Sequence, residues 1–248
     1  MTIFYCGGHK GGDGKSMSAA VLTDLLLVRD QRAVALIEGD LGQPDIALRY
    51  ERRIAVRAVN LNQSGASEKA VIKFAEALDK LGDADIVVNL PAAAEDTLDA
   101  LAALLVEAGS ALGHDTRVFY NIGHQATATA AALKSLKAGL LGAAHARCVI
   151  YPEFLQPDVS RFDFVRSGAR DQYLETGGLE AVMPAMRPED LVDHILGLKG
   201  SFTDLAKPDS QLSFGERLFF GRQWLPEAHK AVATLVDLNV KNDDEVAA

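Results

Sequence analysis

Apolar positions along this chain fall into two alternating rhythms. Short runs rich in β-branched residues, Ile3–Cys6, Ala33–Ile37, Asp85–Leu90, Arg117–Asn121, Arg147–Tyr151 and Glu180–Met183, have the pattern of strands. Between several of them the apolar spacing widens to a helical period, as in Ser16–Val28 and Glu95–Glu107. Strands alternating with helices predict an α/β fold, a mostly parallel twisted sheet with helices on both faces. Ala and Leu are abundant over 92–143, but their apolar positions recur at helical spacing, which predicts packed helices. The composition changes over KGSFTDLAKPDSQLSFG (199–215), ahead of a terminal helix expected over Pro226–Leu238 and a charged tail, KNDDEVAA, expected to fray. The expectation is one unit over 1–248 with a helical extension from about residue 200.

Composition narrows the class. At 248 residues, 48% of them hydrophobic, the chain can bury a full core. The first apolar run is too short for a signal peptide, and none approaches the ~20 residues of a membrane span, so a cytoplasmic protein with no membrane partner is expected. A net charge of −9 argues against a broad nucleic-acid face. It leaves room for a local patch drawn from Arg161, Arg166, Arg170, Arg217 and Arg222. Cys6 and Cys148 each sit in a strand-like run and read as reduced core thiols. His124 and the other histidines show no metal-ligand spacing.

The chemistry is concentrated near the start, in MTIFYCGGHKGGDGKSM. A phosphate-binding loop reads G-x-x-x-x-G-K-[ST], and counting back from Gly14-Lys15-Ser16 puts His9 where the first glycine belongs. The context is nevertheless right: an apolar strand, a glycine-rich loop, then a helix. The segment from Gly11 through Gly12, Asp13, Gly14, Lys15 and Ser16 to Met17 can turn backbone N–H groups toward phosphate oxygens at the positive end of a helix. Lys15 would reach the β- and γ-phosphates of ATP, and the Ser16 hydroxyl would ligate Mg²⁺.

The stretch KGGDGKS, Lys10–Ser16, resembles the deviant Walker A motif K-G-G-x-G-K-[ST] of the ParA/MinD group of P-loop ATPases, in which the residue before the first lysine need not be glycine. The resemblance implies a P-loop NTPase fold and a homodimer formed around ATP, with Lys10 reaching the nucleotide of the second subunit. It runs in order over roughly residues 1–195. ALIEGDLGQPDI is similar to the family's first switch segment, with Glu38 and Asp40 at its two acidic positions; Asp40 would hold the Mg²⁺ shell or position the attacking water. DIVVNLPAA is similar to the Walker B and second switch stretch, except that Asn89 stands where the family has aspartate. An amide brings no negative charge to the metal, so weaker metal binding or slower turnover is expected. Asn121 and Pro184, each after a strand, correspond to the family's adenine-binding positions.

The resemblance implies a slowly hydrolysing, nucleotide-controlled ATPase that partitions or positions cargo such as plasmid DNA, working with a partner protein and reaching DNA directly or through that partner. The ending SFGERLFFGRQWLPEAHK resembles the plasmid stability and conjugation branch, the StbB-like proteins. Two alternatives stay open: a small-molecule kinase using the same loop, and an ATP-binding adaptor that hardly hydrolyses. The acidic tail differs from the basic amphipathic helix with which MinD-like proteins reach membranes, and argues against that attachment.

Overall fold

The computed structural model describes residues 1–61, 67–91 and 95–238. The strands are β1 (Thr2–Gly8), β2 (Val34–Glu38), β3 (Ala55–Ala58), β4 (Asp85–Asn89), β5 (Asp115–Asn121), β6 (Ala146–Pro152) and β7 (Leu179–Met183). They form one sheet in the order β3-β2-β4-β1-β5-β6-β7, with every neighbouring pair parallel. In chain order the helices are α1 (Lys15–Asp24), α2 (Asp45–Tyr50), α3 (Ser67–Leu81), α4 (Glu95–Ala100), α5 (Ala102–Ala111), α6 (Ala126–Ala138) and α7 (Leu140–Ala143). After β6 come α8 (Asp163–Arg166), α9 (Ala169–Glu175), α10 (Glu189–Gly197), α11 (Phe202–Leu205), α12 (Phe214–Arg217) and α13 (Leu225–Val236).

Every residue of β1 is buried, as a central parallel strand covered on both faces requires. Its alternation divides the core. Ile3 and Tyr5 face a layer that includes Phe74, Leu105, Ala132, Phe164 and Tyr173. Phe4 and Cys6 face Leu22 and Leu25 together with Ile195, Phe202, Phe220, Trp224 and Val232. The expected helices therefore lie on both faces. Cys6 and Cys148 are free and buried, and burial pushes both thiols well above their ordinary range.

The residues after 200 complete the second layer. Phe202, Phe220 and Trp224 stack and cross at centroid separations of 5.5 to 5.9 Å, contacts worth ~1 kcal/mol each beyond their burial. The buried Asp24 at the end of α1 accepts from the Thr203 amide (3.0 Å) and hydroxyl (2.6 Å) and lies 3.0 Å from His229 Nε2. Arg117 on β5 donates to the carbonyls of Leu235, Val236 and Leu238, where the negative end of α13 favours a cation.

Some elements differ from the sequence expectation. The edge strand β3 is short and mostly exposed, so its four residues carry little of the apolar alternation that marks a strand. The single helix expected over Glu95–Glu107 is broken at Leu101 (φ −112°, ψ 5°). Beside the break Asp99 is buried, and its Oδ1 accepts from Ser135 Oγ at 2.7 Å and from the Leu140 amide at 2.8 Å, anchoring α4 to the joint between α6 and α7. The first helix passes after Asp24 into a π-helical turn, Leu25–Arg29. The tail KNDDEVAA, and Ala92 and Ala93 of DIVVNLPAA, lie outside the described residues.

Candidate functional site

Parallel strands end on one edge of the sheet, so the loops after β1, β2, β4, β5, β6 and β7 open on the same side. Register then fixes neighbours: Glu38 pairs with Asn89, Asn89 with Cys6, and Gly8 with Asn121. The loop from β1 turns directly into α1 at Lys15. Gly14 caps that helix at φ 84°, a left-handed conformation that favours glycine, and a Cβ there would lie 3.1 Å from the Phe154 ring. Gly39 donates to the Asn89 carbonyl at 2.9 Å; a Cβ would come within 2.6 Å of that oxygen, so glycine lets the end of β2 close onto β4.

The two loop lysines are held differently. The Lys15 ammonium donates to the Lys10 carbonyl, whereas the exposed Lys10 side chain reaches Gln125 Oε1 at 3.4 Å. Asp13 is buried with its Oδ2 on the Lys10 amide at 2.9 Å. Its carboxylate braces the loop from inside, so any contact with a phosphate falls to its backbone.

A cavity of about 660 Å³ opens over the loop, a volume suited to a nucleotide. Gly11, Gly12, Gly14, Lys15, Ser16 and Met17 line its floor and Asp40 one side. Phe154, Pro184 and Trp224 are on its wall, and Trp224 Nε1 donates to the Pro184 carbonyl at 2.8 Å. Asn121 is placed elsewhere: fully buried beneath the loop, it donates from Nδ2 to Ser18 Oγ at 2.9 Å. Its register beside Gly8 turns it under α1, where Ser18 holds its amide.

Around Ser16 lies a polar chain. Ser16 Oγ is 3.5 Å from Asn89 Oδ1, and Asn89 Nδ2 donates to Glu38 Oε1 at 2.7 Å. The Asp40 amide donates to the same Glu38 oxygen at 3.1 Å. Burial drives the Glu38 carboxyl up to about 7, against the downward pull of the bonds from Asn89, Asp40 and the Ala47 backbone. Asp40 Oδ1 accepts from the Gly42 and Gln43 amides at 3.2 and 3.3 Å, so it also shapes the turn after β2.

Phe154 and Trp224 had not been foreseen at this cavity. The available signal for Phe154 was an aromatic two residues past a strand end; Trp224 comes from a distant segment and gave none. Three of the five arginines have partners close by. Arg161 pairs with Asp158, Arg170 with Glu180, and Arg217 with the Leu212 carbonyl. Among the described residues no group of three His, Cys, Asp or Glu side chains could hold a metal, and no helix is long and apolar enough to cross a membrane.

No family model matches the chain. A curated relative, Protein MobD of Acidithiobacillus ferrooxidans, is 31% identical over 91 residues; the match takes in 37% of this chain and 38% of that protein's length. Among solved structures, the MinD cell division protein of Aquifex aeolicus is similar at a TM-score of 0.51 and 15% identity over 97% of this chain and 98% of that one. Apo McdA of Cyanthece gives 0.51 and 14%, over 95% of this chain and 99% of the other. Identities this low speak for architecture, and the chain has the P-loop α/β fold of the ParA/MinD-type proteins.

Proposed function

We propose that this chain is an ATP-dependent switch. It binds ATP with Mg²⁺, hydrolyses it slowly, pairs with a second copy while loaded, and serves to partition or position cargo such as plasmid DNA through a partner protein. The observation that carries this reading is that Gly11, Gly12, Gly14, Lys15 and Ser16 of the loop line the 660 Å³ cavity at the start of α1. The names of the similar proteins agree with it: a MinD cell division protein, also solved in a MinC:MinD complex, and MobD.

The residues suit these tasks. Backbone N–H groups of the loop and the N-terminus of α1 favour phosphate oxygens, and Lys15 adds a charge that can reach them. Ser16 and Asp40 border the same cavity, which fits an octahedral cation held mainly by phosphates and water with few protein donors. When bound, that cation neutralises charge on the transferred phosphoryl group. Asp40 orients the attacking water, and Lys10, exposed at the rim, delivers its charge across a dimer.

A binding switch with almost no turnover is the second reading. It is favoured by the neutral Asn89 and by the use of Asp40 as a turn acceptor. Either reading requires Lys15. Lys15→Ala should weaken ATP by more than about tenfold in calorimetry with unchanged circular dichroism. Equal affinity in the variant rejects the nucleotide site.

A further inference from the structure

Strand β3 is an edge of the sheet and, among the described residues, pairs with β2 alone. Its main chain divides by alternation. The Val59 amide just past the strand donates to the Glu38 carbonyl of β2 at 3.0 Å, and the register sets Arg57 against Ile37. Ala55 and Arg57 therefore turn their N–H and C=O groups inward with Val59, and Val56 and Ala58 turn theirs outward. The outward Val56 carbonyl is met by Arg57 Nη1 of the same strand at 3.4 Å, a long bond that an incoming amide can replace. Ala55, Arg57 and Ala58 are exposed, so little side-chain bulk stands over this edge.

Charge says what kind of strand fits there. The chain carries a net charge of −9, yet residues 49–57, RYERRIAVR, hold four arginines and one glutamate. Arg52, Arg53 and Arg57 are exposed, and Arg53 also pairs with Asp204. A second copy meeting this one edge to edge would set arginine against arginine, and like charges across strands are destabilising. Carboxylates on an incoming strand would answer them.

We propose that the β3 edge is the docking site for an extended, acidic segment of a partner protein, which adds a strand to the sheet. Main-chain bonds to Val56 and Ala58 hold the segment, and Arg57, with Arg52 ahead of the strand, selects for acid. The same arginines keep copies of this chain from joining edge to edge. No residue lining the candidate nucleotide cavity takes part, so the inference stands apart from the nucleotide reading.

The probe is a fluorescein-labelled peptide of alternating valine and glutamate, titrated by anisotropy at low salt without nucleotide, beside the same peptide with lysine for glutamate. The native chain should prefer the glutamate peptide by at least about tenfold. Ala58→Pro removes an outward N–H and leaves the bonds to β2 in place, as proline on an edge strand allows. It should keep its circular dichroism and lose at least about tenfold in affinity for the glutamate peptide. Arg57→Glu keeps every main-chain group and should favour the lysine peptide, a result that decides the matter even where proline disturbs the fold. No binding of the glutamate peptide, equal binding of both peptides, full affinity in a folded Ala58→Pro, or an unchanged preference in Arg57→Glu overturns the proposal. A dimer of the native chain in light scattering without peptide, abolished by Ala58→Pro, would make the occupant a second copy and reject the acidic partner.

Discussion

The Lys15 ammonium donates to the backbone carbonyl of Lys10, so the two lysines of the loop are divided by role. One is tucked against the loop, and the other leaves only its main chain there while its side chain lies exposed toward Gln125. Lys10→Ala should therefore retain single-chain ATP affinity within about threefold, since Lys15 and the loop amides remain. With Mg²⁺ and a non-hydrolysable analogue the native chain should run as a dimer by light scattering and the variant as a monomer. A variant that dimerises as well as the native chain removes the shared-nucleotide dimer.

Asp40 requires a substitution that separates its charge from its turn. Asparagine still accepts from the Gly42 and Gln43 amides, so Asp40→Asn preserves the loop and deletes the carboxylate. ATP affinity should stay within about twofold while turnover falls by about 10² or more. Unchanged phosphate release would leave Asp40 as a turn residue and favour binding without turnover.

Phe154 lies over Gly14 on the cavity wall, where an aromatic face can pack on a base. Phe154→Ala should weaken ATP by about tenfold and leave inorganic tripolyphosphate unaffected, because stacking contributes ~1–3 kcal/mol and acts on the base alone. Equal losses for both ligands would make Phe154 a support for the loop.

Glu216 gives a pH signature to the C-terminal segment. His194 Nδ1 at 2.5 Å, then the Ser213 side chain and amide, hold its carboxyl down to about 2. A lowered carboxyl contributes stability that is fully present above its unfolded value near 4.5 and lost as pH falls toward 2. Because the pair is partly exposed, the contribution is under about 1 kcal/mol. Urea midpoints of the native chain and Glu216→Gln should differ at pH 6 and converge near pH 2; a constant difference would reject the linkage.

The sheet was legible because its five inner strands and the second edge strand, β7, carry apolar runs, whereas β3 is a mostly exposed edge with little burial to record in sequence. The break at Leu101 depends on Asp99 meeting Ser135, a contact between distant segments that helical spacing cannot report. At the site, Lys15, Ser16 and Asp40 could be placed because one loop motif and one strand end bring them to the same cavity. That Asn121 lies beneath the loop could not be read from the chain, because a strand-end position does not say whether a side chain turns over the loop or under it. Asn89 read as a lost charge, and only the pairing of β2 with β4 shows the acid beside it.

The clasp of Asp24 by Thr203 and His229 has a consequence for synthesis on the ribosome. The strand β1 and helix α1 leave the ribosome well before the residues that cover Leu22 and Leu25 and answer the buried Asp24 carboxylate. A nascent chain ending near residue 200 exposes an apolar layer and an unpaired acid, the condition in which partly made chains associate wrongly. Stop codons ahead of Thr203 should therefore yield insoluble fragments, because neither partner of Asp24 has been made.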